Sequence, residues 1–162
     1  MALSHSITRV IPADGFRFAN SVVSIEAASP AKRFVLRATD EGAQEVGKEI
    51  GLPVPTSPGE SSTRAGLTIL WIGPDEWLIL DESGSVSPSL PDQESSNYCL
   101  VDISHRNSAF LVSGDGAVNT LNAGCPRDLS LSAFPVGSGS RTVFGKVEIV
   151  LLRTATISFR IE

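Results

Sequence analysis

The sequence is short of several features that would place it in a specialised class of protein. Only two of its 162 residues are cysteine, Cys99 and Cys125, which is too few for a disulfide framework and the wrong spacing for a metal site. We therefore expect both thiols to be free and buried, in a reducing cytoplasm. A metal site built on histidine is not expected either, because His5 and His105 lie far apart in the chain.

Long apolar runs and an excess of positive charge are missing as well. No uncharged apolar run approaches the roughly 20 residues that span a bilayer, and no secretory signal is expected, since the first residues alternate apolar and polar types. A net charge of −5 disfavours nucleic acid or an anionic membrane as partner, because either favours a basic face. Lysine is scarce, three against ten arginines; this bias fits a protein interface and, equally, a genomic base composition that replaces Lys by Arg.

The residues that are present suffice for one domain. Hydrophobic residues make up 41% and charged residues 19% of the chain, which is ordinary for a globular protein, and a chain of this length buries roughly two-thirds of its unfolded surface. Residues 1–30 are broken by two prolines and a glycine. We interpret them as an arm that lies across its own domain or a partner, with an edge strand at 21–27. Residues 31–162 are predicted to form the single domain.

Local signals predict a strand and a helix after the arm. Residues 32–38, KRFVLRA, favour a strand. Thr39 or Asp40 can accept hydrogen bonds from the free N–H groups of a following helix, which is expected to end near Ile50. Residues 51–66 are rich in Pro, Ser and Gly and are therefore predicted to be a loop.

A hairpin is predicted around Pro74, which suits the first central position of a type I turn between strands at 67–72 and 77–80. Trp71 and Trp77 flank this turn. They could stack on a ligand, but an aromatic cross-strand or core contact is favoured.

The last third of the chain predicts a second hairpin, with period-two alternation and a turn near Thr154 and Ala155. Residues 81–97 are polar and interrupted by two prolines, so we interpret them as a surface loop. The elements occur in the order β-α-β-β and then β-β-α-β-β. The prediction is an α+β domain of mostly antiparallel β-sheets with two or three helices and two related β-α-β-type halves.

Element boundaries are most closely spaced over residues 98–129. One strand ends at Asp102, a second ends at Ser113, and a helix is expected over 115–123. The SGDG run before this helix lies where anions can bind to free N–H groups. Asp115 already places a carboxylate there, so capping by Asp115 is favoured over a phosphate site.

Asp102, Ser104 and His105 are the residue types of a hydrolase triad. Neighbouring side chains of a strand point to opposite faces, so Ser104 and His105 do not readily share the hydrogen bond that activates a nucleophile. A turn-acceptor role is favoured for Asp102, with His105 and Arg106 partly exposed. The residues by themselves therefore assign no catalytic, cofactor-binding or metal-binding side chain.

Resemblance to a known family rests on four segments in the same order: LWIGPDEWLIL, VDISHR, LVSGDGAVNTLNAGCPRDL and FPVGSGSRTVFGKVEIVLLR. Over roughly residues 31–162 they resemble the gamma subunit family of heterotetrameric sarcosine oxidase. The central pattern is also similar to that of the glycine-cleavage T protein and related folate-binding domains, which implies mostly antiparallel sheets with helices on them. The chain departs from the family pattern at Arg127, where Leu is usual. It departs again over 81–97, where an Ala/Leu-rich helix is usual.

The resemblance implies a non-catalytic subunit. Complexes of this family oxidise sarcosine to glycine, pass the one-carbon unit to tetrahydrofolate and reduce oxygen to hydrogen peroxide. FAD, FMN, NAD and tetrahydrofolate are then expected on the partner subunits and none on this chain. The implied partners are alpha, beta and delta subunits, and the implied location is the cytoplasm.

Two further hypotheses stay open at the level of sequence. One is a stand-alone folate- or small-molecule-binding domain, in which Asp102 would pair with the ligand beside Trp71 or Trp77. The other is the disfavoured hydrolase. If the chain is a subunit, the candidate partner contacts are the N-terminal arm and two arginines near strand ends, Arg106 and Arg141.

Overall fold

A computed structural model describes residues 12–86 and 97–162, which form two β-sheets and two α-helices. The helices are α1 (Asp40–Ile50) and α2 (Ala117–Asn122). The strands are β1 (Arg17–Ala19), β2 (Ser24–Ala27), β3 (Lys32–Ala38), β4 (Ser61–Arg64), β5 (Leu67–Gly73), β6 (Glu76–Asp81), β7 (Tyr98–Asp102), β8 (Phe110–Ser113), β9 (Gly139–Phe144), β10 (Val147–Ala155) and β11 (Ser158–Ile161).

The two sheets share one strand connectivity. All described strand pairs are antiparallel, in the orders β4-β5-β6-β3-β7 and β1-β2-β8-β11-β10-β9. The units β3-α1-β4-β5-β6 and β8-α2-β9-β10-β11 therefore repeat one topology, which confirms the two related halves. The strand before each unit pairs with the sheet of the other unit, β2 with β8 and β7 with β3. This exchange of strands links the halves.

The outer face of the five-stranded sheet packs against α1. The helix begins after Thr39, whose hydroxyl accepts the N–H of Gly42 at 3.2 Å, and ends at Gly51 in the left-handed conformation. Ala43 and Val46 face the sheet. The predicted helix is thus confirmed at both ends. The strand residues buried on this face are Phe34, Leu36, Leu67, Ile69, Trp77 and Ile79.

The outer face of the six-stranded sheet is covered by α2 and the loop that follows it. Because α2 is only two turns long, loop residues complete this core. Its buried members are Val112, Ile149, Leu151 and Phe159 from strands, Ala117 and Leu121 from α2, and Cys125, Leu129 and Phe134 from the loop.

The start of α2 differs from the prediction. The helix begins at Ala117 and its N-cap is Gly116, without a side-chain hydrogen bond, so the predicted cap by Asp115 is wrong. The N–H of Gly116 donates to the carbonyl of Val22 at 2.8 Å. Gly114 has a φ of 112°, and a Cβ there would lie 2.4 Å from the same carbonyl oxygen. Because Gly114 and Gly116 have no side chains, the backbone of Val22, just before β2, can pack directly against them.

The inner faces of the two sheets meet in a third apolar layer. It is formed by Leu70, Ile72, Leu78, Leu80 and Leu152. Gly139 allows the close approach, since a Cβ at this position would lie 2.4 Å from Leu70 Cδ1. Strands β5 and β6 are consequently buried on both faces, which accounts for their nearly unbroken apolar sequence.

Buried charges cross the same layer. The carboxylate of Glu162, with a side chain 2% exposed, accepts from Arg33 Nε at 2.5 Å and from Arg160 Nε at 2.7 Å. Arg160 also pairs with Glu82. Since Arg33 lies in β3 and Arg160 in β11, these ion pairs join the two sheets.

The predicted hairpins are both present, with one displaced turn. The hairpin around Pro74 is formed by β5 and β6. In the last hairpin the turn lies at Thr156 and Ile157, not near Thr154, because β10 continues to Ala155 through a register shift after Arg153.

Part of the predicted arm belongs to the six-stranded sheet. Strand β2 lies between β1 and β8, so it is an inner strand and β1 is the edge. Of the two alternatives for the arm, contact with its own domain thus applies to residues 17–27. Residues 1–11, and residues 87–96 of the predicted surface loop, lie outside the described residues.

Candidate functional site

A large cleft of about 740 Å³ opens at one end of the six-stranded sheet, where it is lined by side chains from both faces of that sheet and from the inner face of the five-stranded sheet. Arg106 and Arg141 both line it. The two arginines predicted from the sequence as candidate partner contacts therefore lie at one cleft. Most of the wall is apolar, and it includes Val35, Ile72, Leu78, Ile103, Phe144, Val147, Val150 and Ile161.

Arg141 links the two sheets across the cleft. Its two terminal nitrogens donate to the two carboxylate oxygens of Glu76, at 2.8 and 3.2 Å. Arg141 belongs to β9 and Glu76 to β6, so this fork-to-fork pair spans the opening. The hydrogen bond to Glu76 raises the pKa of Arg141, and burial opposes this shift. The charge of Arg141 is therefore compensated within the chain.

Unlike the charge of Arg141, the charge of Arg106 is not compensated by another described residue. Arg106 lies in the turn after β7, where its N–H donates to the carbonyl of Ile103 at 2.9 Å. The residue is exposed. Within residues 12–86 and 97–162, its guanidinium has no hydrogen-bond or ion-pair partner. The rim of the cleft thus carries one cation that is free to bind a group from outside.

Asp102, Ser104 and His105 do not form a triad. The carboxylate of Asp102 accepts the N–H of Ser104 at 2.8 Å, which confirms the turn-acceptor prediction. The buried Ser104 hydroxyl accepts the N–H of Arg33 at 2.9 Å and so fastens the turn to β3. Hydrogen bonds from Ser104 hold the pKa of Asp102 below its ordinary value. His105 is exposed.

A second cavity of about 620 Å³ lies under α1, on the other face of the five-stranded sheet. Trp71 and Trp77 line it as cross-strand partners. Trp77 is buried and its Nε1–H donates to the carbonyl of Pro55 at 2.8 Å, so the predicted cross-strand and core contact is confirmed. Asp102 is two strands and two residues from Trp77, roughly 12 Å by strand spacing. The side chains proposed for a folate pocket are therefore not assembled.

The two cysteines are free, as expected, but only Cys125 is buried. Cys99 is exposed because it lies on the edge strand β7 and alternates with Tyr98 and Leu100, which pack under α1. In the described parts of the chain, no group of three or more His, Cys, Asp or Glu side chains could hold a metal ion. No helix there is long and apolar enough to cross a membrane.

Arg127, the departure from the family pattern, lies in an exposed turn. Its guanidinium is 5.7 Å from the centroid of the Phe134 ring, a cation–π distance. Leu129, two residues later, is fully buried. The Arg therefore covers the aromatic side chain from outside while the rest of the segment packs normally.

The apolar wall of the cleft is the part that the sequence analysis missed. Ile72 and Leu78 lie on the face of their strands opposite Trp71 and Trp77. The signal was available in β5, which is apolar at each position from 69 to 72. Such a run requires burial on both faces, but it does not say what covers the second face.

Comparison with known proteins identifies the family. The profile of the "Sarcosine oxidase, gamma subunit family" matches residues 37–161. The chain is similar to the sarcosine oxidase subunit gamma of Corynebacterium sp. (strain U-96), with 31% identity over 119 residues, and to that of Arthrobacter sp., with 30% identity over 113 residues. Both matches cover 68% of this chain and 56% of the relative. The chain thus spans about half the length of the curated relatives it matches.

A solved structure extends the likeness to the fold. A chain of the heterotetrameric sarcosine oxidase from Corynebacterium sp. U-96, in complex with pyrrole 2-carboxylate, matches with a TM-score of 0.78 and 27% identity. The match covers 90% of this chain and 77% of that chain. Since the family profile also covers most of the sequence, the chain belongs to the sarcosine oxidase gamma subunit family.

Proposed function

We propose that this protein is the gamma subunit of a heterotetrameric sarcosine oxidase and that it supports assembly of the complex, not its chemistry. The observation that carries this proposal is the family match over residues 37–161, supported by the fold match to a chain of such a complex. The partners are then alpha, beta and delta subunits, and the location is the cytoplasm.

In this proposal the complex demethylates sarcosine oxidatively to glycine. Tetrahydrofolate accepts the one-carbon unit and oxygen is reduced to hydrogen peroxide. FAD, FMN, NAD and tetrahydrofolate are carried by the partner subunits. This division of labour agrees with the structural use of Asp102 and Ser104, whose hydrogen bonds hold the turn after β7; a nucleophilic hydroxyl would need a base within reach.

Co-expression tests the proposal. The tagged full chain would be produced with the alpha, beta and delta subunits of the same organism and purified through the tag. We expect all four to co-purify, with flavin absorbance and sarcosine-dependent release of peroxide. The chain expressed alone is expected to be colourless and to release no peroxide. Elution without partners, or peroxide release by the chain alone, would contradict the proposal; binding of reduced folate by the lone chain would support the folate-binding alternative.

A further inference from the structure

Exposed apolar side chains continue the wall of the cleft outward. Val147 lines the cleft and is 65% exposed. On the opposite wall, Val101 is 49% exposed and is the cross-strand partner of Val35, which also lines the cleft. Together with the apolar lining of the cleft, Val101 and Val147 form a contiguous apolar surface that reaches solvent, and an exposed apolar patch marks an interaction site.

Of the charged side chains that line the cleft, Arg106 is the one without a hydrogen-bond or ion-pair partner among the described residues. Glu76 is bound by Arg141, and Glu162 is bound by two buried arginines. Glu148 lies 3.9 Å from Arg141 and extends into solvent. Arg106 has no partner among the described residues, so a ligand that complements this opening is apolar and carries a negative charge at its edge.

We propose that the cleft receives a segment of a partner subunit, which inserts an apolar side chain into the cleft and places a carboxylate against Arg106. This inference rests on the proposed function and names the surface through which it operates. Arg141 has a different role, because its bidentate contact with Glu76 holds the two walls of the cleft at a fixed separation. Arg106 therefore binds the carboxylate of the partner, whereas Arg141 maintains the width of the cleft.

A protein segment fits the opening better than a small carboxylate does. A small ligand held between the sheets would leave Val101 and the outer part of Val147 in water. A chain segment that passes over the rim covers both while one of its side chains enters the cleft. Such an arrangement, with an apolar anchor inside and an Arg at the edge, is typical of the residues that dominate interface energies.

The test uses two substitutions in the cleft, each with a matched control elsewhere. Arg106→Glu reverses the rim charge, and Lys48→Glu reverses an exposed charge on α1, behind the opposite face of the sheet. Val147→Ser removes an exposed apolar side chain at the cleft. Ile157→Ser removes one that is 42% exposed at the other end of the six-stranded sheet. Each full-length variant is titrated into the purified alpha-beta-delta complex, at low and at high salt.

We expect Arg106→Glu and Val147→Ser each to weaken binding by about tenfold or more, while both controls bind like wild type and the two cleft variants keep the wild-type melting temperature. Binding of wild type should weaken with salt more steeply than binding of Arg106→Gln, since a charge contact at the rim is screened. If wild type binds and the two cleft variants bind equally well, the cleft is not the docking surface, although the subunit assignment stands. If wild type does not bind the complex, the proposed function and this inference both fail.

Discussion

At the scale of single residues, buried carboxylates organise the backbone around them. Asp81 lies at the end of β6 and accepts the N–H groups of Ser83, Gly84 and Val86 at 2.8–3.0 Å. Burial by itself raises the pKa of a carboxyl group, but hydrogen bonds outweigh it and lower the pKa of Asp81, led by the bond that the Ser83 hydroxyl donates at 2.7 Å and followed by the backbone bonds. Ionised Asp81 therefore stabilises the turn in which the chain leaves the sheet.

Replacing Asp81 by Asn is expected to lower the free energy of unfolding by about 1–3 kcal/mol at pH 7, because Asn brings an N–H₂ group to face backbone donors. A lowered folded-state pKa means that the stabilisation is fully present above the unfolded-state pKa of about 4 and is lost as pH falls through the folded-state value. Urea unfolding at pH 7 and about pH 3 should therefore show the difference between the two proteins shrinking in acid.

Asp128→Asn provides the control for this measurement. Asp128 is an exposed carboxylate that accepts the N–H of Ser130 at 2.8 Å, and its replacement should have a smaller effect than that of Asp81. An effect of Asp81→Asn that is equally large at both pH values would show that the charge of the carboxylate is not what stabilises the turn.

At the scale of secondary-structure elements, the sequence predicts those boundaries that neighbouring residues decide. Thr39 and Gly51 lie beside the helix that they bound, and Pro74 lies within its turn, so these predictions match the structure. The start of α2 is decided differently. Gly114 and Gly116 meet the backbone of a residue far away in the chain, and no local pattern contains that contact.

Gly114→Ala tests whether the contact between Gly114 and the backbone of Val22 requires a glycine. The φ of 112° disfavours any side chain, and the new Cβ would lie 2.4 Å from the carbonyl oxygen of Val22, so we expect a loss of about 2–4 kcal/mol. Gly145→Ala is the matched control. It also has a positive φ, of 60°, but no atom lies within 4 Å of its added Cβ, so a loss of only about 1 kcal/mol is expected. Equal denaturation midpoints for the two variants would mean that backbone conformation alone matters at Gly114.

At the scale of the whole molecule, the exchange of β2 and β7 decides which sheet faces meet. Hydrophobic periodicity shows that a strand is buried on both sides, but it does not identify the covering element. For this reason Arg106 and Arg141 could be chosen from the sequence as candidate partner contacts, but the apolar cleft that both of them line could not be predicted. Among residues 12–86 and 97–162, three ion pairs cross from sheet to sheet: Arg33 with Glu162, Arg160 with Glu82, and Arg141 with Glu76.

Glu162→Gln is expected to weaken the junction of the sheets strongly. The substitution leaves the charges of Arg33 and Arg160 buried without their shared carboxylate, which typically costs about 3–5 kcal/mol. Glu148→Gln, on a side chain that is 71% exposed, should change the free energy of unfolding by less than about 0.5 kcal/mol. Chemical denaturation of both variants checks this, and a near-neutral Glu162→Gln would mean that the Glu162 carboxylate does not stabilise the junction of the sheets.

Native mass spectrometry of the material purified through the tagged chain can show whether the protein is one subunit of a four-subunit oxidase, as proposed. From cells that produce all four proteins, we predict a particle with one copy each of the alpha, beta and delta subunits and one copy of this 17.1 kDa chain. If the chain is found only by itself or only with copies of itself, while the other three subunits assemble without it, the proposed role as a subunit is wrong.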